Sequence, residues 1–141
     1  MAIIDNDLRL SNAQAVTTVA THASTNYIDM QAAASNLSSD LELIIRVNTA
    51  CTSTGSATVL ATVESDDNTS FSSALALAAT GAVAVASLSA GYEFLRLRLP
   101  VKGTADTLER YLRVTYTIGS VALTAGKFDA YLVTAGDLNT K

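Results

Sequence analysis

The chain is short of the residues that most active sites are built from. Among 141 residues there is no tryptophan and only one cysteine, one proline and one histidine. The lone Cys51 excludes a disulfide framework. Charged residues make up 16% of the chain, well under the usual quarter. Glu and Lys are too scarce to flank coiled-coil heptads. The isoelectric point near 4.7 argues against nucleic acid, because phosphate binding needs clustered Lys and Arg. The mean hydropathy of +0.30 and a net charge of −4 argue against intrinsic disorder. The opening residues lack the basic and apolar regions of a secretory signal, and one unpaired cysteine fits synthesis in a reducing compartment.

What is abundant is small. The sequence holds 24 Ala, 18 Thr and 14 Ser, and 49% of it is hydrophobic. At this length one domain is expected, large enough to bury a real core. Residues 1–25 read as an extended N-terminal arm carrying one or two short strands, and residues 26–141 as a single domain. From Ser11 to Ser39 only Asp29 is charged. Ala15-Val16 and Tyr27-Ile28 are β-like islands there, and a brief helical turn is open around Met30 to Ala34.

Alternation then takes over. Leu41, Leu43, Ile45 and Val47 share one strand face, with Glu42 and Arg46 on the other. Ala57, Val59, Ala61 and Val63 repeat the pattern after a Thr54-Gly55 turn. Leu95, Leu97 and Leu99 oppose Arg96 and Arg98, and Pro100 ends that strand. Leu112, Val114, Tyr116 and Ile118 face inward, with Arg113, Thr115 and Thr117 outward. Phe128, Ala130 and Leu132 mark the last strand, with Gly119 and Gly126 bracketing the loop before it. No residue from Asn68 to Tyr92 is charged. Leu75, Leu77, Val83 and Val85 alternate with small residues around Thr80-Gly81, which reads as a hairpin. A membrane-spanning helix is the competing reading. Seven to nine short strands without a long helix predict an all-β chain, a β-sandwich or jelly roll.

The chemistry is thin. His22 has no nucleophile-and-acid company, and there is no Gly-x-Ser-x-Gly elbow. Cys51 reads as a strand-end cysteine packed as a small hydrophobe. Asp66, Asp67 and Asn68 could offer oxygens to Ca²⁺, but EF-hand spacing is absent and a solvated turn is the simpler reading. No catalytic residue, cofactor or metal is expected, and the chain reads as non-enzymatic. The candidate partner-interface residues are Ile3, Ile4, Leu8 and Leu10 of the arm, with Arg96 and Arg98 of the sheet. The arginines read either as a solvated face or as an interface for acidic groups. Low surface charge and the Leu95, Leu97 and Leu99 strand predict a homo-oligomer, dimer or trimer.

Four segments taken together carry a resemblance. They are Asn26-Tyr-Ile-Asp-Met, Gly55-Ser-Ala-Thr-Val, Ser65-Asp-Asp-Asn-Thr-Ser-Phe-Ser-Ser, and Arg110-Tyr-Leu-Arg-Val-Thr-Tyr-Thr-Ile-Gly followed by Thr124-Ala-Gly. Their order and spacing resemble the jelly-roll cement, or decoration, proteins of tailed bacteriophage capsids, over about Asn26 to Val133. The resemblance implies a non-catalytic virion protein, made in the host cytoplasm and placed on the outer capsid surface. Its partners would be the assembled major capsid protein and itself, with no nucleic acid and no membrane. The alternatives are a tail or baseplate module, or a carbohydrate-binding sandwich with Tyr92, Tyr111 and Tyr131 on one face.

Overall fold

A computed structural model describes residues 6–30, 41–99 and 109–134. The strands in chain order are β1 (Arg9–Ala15), β2 (Thr21–Ala23), β3 (Ile28–Asp29), β4 (Leu41–Ser53) and β5 (Thr58–Asp66), then β6 (Leu75–Ala79), β7 (Val83–Ala84), β8 (Glu93–Leu99), β9 (Tyr111–Gly119) and β10 (Leu123–Thr134). Two short 3-10 turns, Asn6–Leu8 and Val85–Ser87, are the helical pieces among the described residues. None of the helical pieces is long and apolar enough to cross a membrane.

Two antiparallel sheets form. Sheet A has the order β1-β10-β4-β8. Sheet B runs β2-β9-β5-β6, with β3 also on β9 and β7 also on β5. β2 and β3 lie end to end along β9, and β6 and β7 lie end to end along β5. Counting each such line once gives eight strands, four to a sheet. The pairings are nested: β5 with β6–β7, then β4 with β8, β2–β3 with β9, and β1 with β10. That nesting is the two-Greek-key plan of a jelly roll. The all-β sandwich expected from the strand count is therefore found.

The period-2 pattern explains the core. Leu43, Ile45 and Val47 of β4 and Phe128, Ala130 and Leu132 of β10 face Val59, Ala61 and Val63 of β5 and Leu112, Val114, Tyr116 and Ile118 of β9. All are buried. Each large aliphatic side chain contributes about 1.5–3 kcal/mol by leaving water. Tyr116 stacks on Phe128 across the two sheets, with ring centroids 4.9 Å apart. Its hydroxyl is buried and donates to Ser11 Oγ at 3.0 Å, which in turn donates to Gln14 Oε1 at 2.8 Å. Gln14 Nε2 donates to the Ala23 carbonyl at 2.8 Å. A buried hydroxyl without such a partner would cost about 1–3 kcal/mol.

Three sequence expectations change. The segment read as an arm does carry two strands, but they are part of the sandwich. β1 pairs with β10, β2 pairs with β9, and Leu10 and Val16 are in the core. Polar pairings, which apolar periodicity does not register, hold it there. Ala13 N, at a positive φ of 46°, donates to Asp129 Oδ1 at 2.7 Å.

The uncharged stretch from Asn68 to Tyr92 is not a hairpin, nor a membrane-spanning helix; its helical piece is the 3-10 turn Val85–Ser87. β6 and β7 continue in one direction along β5, and Thr80-Gly81 is a kink between them rather than a reversal. Thr80 N donates to the Ala61 carbonyl at 2.9 Å, and Ala61 N donates to Thr80 Oγ1 at 3.1 Å, so pairing carries through. Gly81, with φ of 75°, supplies the left-handed residue that kink needs.

Gly126 lies inside β10, not in the loop before it. It sits where the register with β4 shifts, and a Cβ there would be 2.8 Å from Cys51 Sγ. The helical turn around Met30 to Ala34 lies largely outside the described residues, as does Pro100.

Candidate functional site

The expected interface residues do not assemble into one surface. Ile3 and Ile4 lie outside the described residues. Leu8 packs against the core and Leu10 is fully buried within it, so Leu10 is not available to a partner. Arg96 and Arg98 stand on the outer face of β8, an edge of sheet A. Their acidic partners come from the same chain. Arg96 donates to Glu93 through Nε at 3.0 Å and Nη2 at 2.8 Å, and its Nη1 lies 3.7 Å from Glu42. Arg98 approaches Glu42 at 3.9 Å with its side chain 66% exposed. The hydrogen bonds from Arg96 hold the Glu93 carboxyl below its ordinary range. This is a solvated charge network.

The other sequence candidates are structural. His22 Nε2 sits 3.0 Å from Thr18 Oγ1 and 2.9 Å from the Thr18 carbonyl, closing the turn before β2. Cys51 is buried, and burial pushes its thiol up to about 11, so it is a neutral, unreactive group at neutral pH. It lines an open cleft of about 620 Å³ at the β4–β5 end, walled by small uncharged residues such as Ala50, Ser56 and Ala84.

Asp66 is fully buried and closes its own loop. It accepts from Asp67 N at 2.7 Å, Asn68 Nδ2 at 2.9 Å, and Ser73 N and Oγ at 2.9 and 3.0 Å. Burial opposes its charge, but the bonds from Ser73, Asp67 and Asn68 outweigh it and hold the carboxyl below its ordinary range. Both carboxylate oxygens are thus occupied by the loop's own donors. Tyr92, Tyr111 and Tyr131 do not share a face. Tyr92 precedes β8, Tyr111 is on sheet B, and Tyr131 is buried on the outside of sheet A, where the Arg46 guanidinium lies 5.6 Å from its ring.

A different surface is built, at the end of sheet B where β9 begins. The loop closed by Asp66 carries Phe71, whose backbone is held at a positive φ of 51°. That conformation costs a non-glycine residue about 1–2 kcal/mol. The ring is nearly buried and lies 4.3 Å from the Arg113 guanidinium. Tyr27, just before β3, meets Phe71 at 6.2 Å and Tyr111 edge-on at 5.6 Å. Tyr27 is 49% exposed, one of three large hydrophobic residues standing open among the described residues. Arg110 stacks over Tyr111 at 5.0 Å and grips Asp29 with two bonds of 2.8 and 2.9 Å. Arg113 donates to Glu64 at 2.8 Å. Both arginines are therefore fixed twice, by a carboxylate and by a ring.

Sequence reasoning placed Arg113 outward but missed the patch. Its signal was present, because Tyr27, Phe71 and Tyr111 each lie in one of three quoted segments that are far apart in the chain. Only the topology brings them together: β3 and β5 flank β9, and the loop after β5 folds back over the sheet.

Fold and surface together define an eight-stranded jelly roll with a preformed aromatic–arginine patch at one end. The span from the first strand to the last is also what a known family covers: its model, Bbp16, matches residues 10–132, and the chain belongs to the Bbp16 family. No curated protein matches the chain.

Proposed function

We propose that the protein is a capsid cement, or decoration, protein that binds the outer surface of an assembled phage shell and bridges neighbouring major capsid subunits. One observation carries this reading. Three of the four segments on which the resemblance rests converge on the Tyr27–Phe71–Tyr111 patch. Tyr and Arg dominate binding hot spots because they present large area at low entropy cost. Here the rings and guanidiniums are already fixed in the free protein, so little ordering remains to oppose docking. No chemical step is required of such a protein. Anything that binds the lattice better than free subunits stabilises the lattice by mass action, and repeated copies raise avidity.

The test is co-sedimentation of the purified protein with mature capsids that lack it, with unassembled capsid protein as control. Saturable binding to capsids alone is the expected result. Binding to neither overturns the reading and favours a tail or baseplate location.

A further inference from the structure

A polar cavity opens where the start of β1 meets the segment before β3. Its volume is about 610 Å³, and Asp7, Arg9, Asn26 and Tyr27 line it. Small-ligand sites span about 300–1,000 Å³. Asp7 stands in the 3-10 turn that leads into β1, and Arg9 is the first residue of that strand. Asn26 and Tyr27 come just before β3. Hydrogen bonds fix the two segments on each other. Asn26 N donates to the Leu10 carbonyl at 3.0 Å, and Asn26 Nδ2 to the Arg9 carbonyl at 3.3 Å. Ser24 Oγ donates to the Asn26 carbonyl at 2.8 Å. The Arg9 guanidinium donates to the Asn12 side-chain oxygen. The Tyr27 ring is held by its contacts with Phe71 and Tyr111. These walls are set before any ligand arrives, so little ordering remains to oppose binding.

We infer that this cavity binds a neutral sugar in its pyranose form, stacked on the Tyr27 ring with its hydroxyls on Asp7, Arg9 and Asn26. The hydrogen-bonding groups of the lining set the ligand class. A carboxylate only accepts, a guanidinium only donates, and an amide does both. A hydroxyl also does both, so a ligand rich in hydroxyls answers all three. One carboxylate and one guanidinium leave the lining without net charge, which favours neither an anion nor a cation. Tyr27, 49% exposed, adds an apolar surface beside these polar groups. A pyranose carries C–H bonds on its face and hydroxyls around its rim, and so matches both. A purely apolar ligand would strip water from Asp7 and Arg9 and return no hydrogen bond. The cleft at the β4–β5 end is of similar volume but is walled by small uncharged residues, so it lacks groups to orient a sugar. The inference goes beyond the cement reading and does not rest on it.

The test is an NMR titration of the full chain, free of capsids, with the methyl pyranosides of glucose, galactose, mannose and N-acetylglucosamine. Sorbitol is the control, because it has the hydroxyls but no ring face. At least one pyranoside should give saturable shifts centred on Asp7, Arg9, Asn26 and Tyr27, with sorbitol at least about fivefold weaker. Tyr27→Ala should weaken that binding about tenfold, and Tyr27→Phe, which keeps the ring, should recover most of it. Asp7→Asn, which exchanges an acceptor for a donor and upsets the charge balance, should weaken it severalfold. Asp7 and Tyr27 are both exposed, and thermal melts confirm that the variants fold. No shift at these residues with any of the four pyranosides overturns the inference. So do equal affinity for sorbitol, and wild-type affinity in both Tyr27→Ala and Asp7→Asn. Capsid binding enters none of these results. A failure of the cement reading therefore leaves this inference standing, and a failure here leaves the cement reading intact.

Discussion

Arginine–carboxylate pairs stand on the outer faces of both sheets, and the two sets differ in construction. On sheet A, Arg46 meets Asp129 at 3.7 Å, and Arg96 and Arg98 share Glu42 at 3.7 and 3.9 Å. Only Arg96 with Glu93 closes to 2.8 Å, between two well-exposed side chains. On sheet B both pairs reach 2.8 Å and both guanidiniums also lie on rings. The same residue types thus serve two ends. Loose, solvated pairs keep an edge strand charged and discourage stray sheet pairing. Doubly anchored pairs hold a surface in one shape. Arg46 also lies near a ring, Tyr131 at 5.6 Å, and Arg96 also has a 2.8 Å pair, so neither feature alone separates the two cases; a close pair and a close ring on the same guanidinium do.

The contrast can be broken most severely at Phe71. Replacing Phe71 with Ala should cost about 3 kcal/mol in urea unfolding, since a nearly buried ring is lost from under Arg113 and Tyr27. Phe71→Gly should be less damaging than Phe71→Ala by about 1 kcal/mol, because glycine releases the left-handed backbone. Equal losses would show that the backbone there is not strained.

Acid separates the two surfaces next. The folded Asp66 carboxyl is held below its ordinary value of 3.8. Its stabilisation is therefore complete above that value and disappears as pH falls through the lower folded value. Thermal midpoints should fall through that acid window. In Asp66→Asn that part of the fall should vanish, and the midpoint at pH 7 should be lower from the outset. An unchanged acid profile in Asp66→Asn would remove Asp66 as the loop's anchor.

Arginine geometry gives a smaller effect. Arg113→Lys loses both the stacked plane and the guanidinium bond to Glu64, and should cost about 1 kcal/mol. Arg98→Ser should change stability by no more than about 0.5 kcal/mol, as exposed pairs usually do. Equal costs from chemical denaturation would erase the distinction between the faces.

The central strands were legible because both of their faces differ. In β5 from Val59 to Val63 and in β9 from Leu112 to Ile118 every inward residue is apolar and every outward one but Leu60 is polar, so the inward residues are legible one by one. The interrupted edge was not legible. A Thr-Gly pair serves equally for a reversal and for a kink, since both call for a glycine with positive φ, and only the partner strand decides which. The first strand was under-read for another reason. Leu10 is its only deeply buried large apolar residue, with Val16 just beyond its end, and the rest of its attachment is the pairing with β10 and hydrogen bonding through Ser11, Ala13 and Gln14. The patch was hidden because its three rings come from three strands or loops, and no local pattern records their meeting.

Nested pairing also sets a timetable. β10 lies between β1 and β4 in sheet A, so that sheet has no centre until the last of the ten strands leaves the ribosome. Sheet B can assemble only slightly earlier, once β9 arrives to join β5 to β2 and β3. During synthesis the chain therefore holds its innermost pair, β5 with β6 and β7, long before it can bury either face. Any nascent chain halted before β10 is therefore left with an unfinished sheet A.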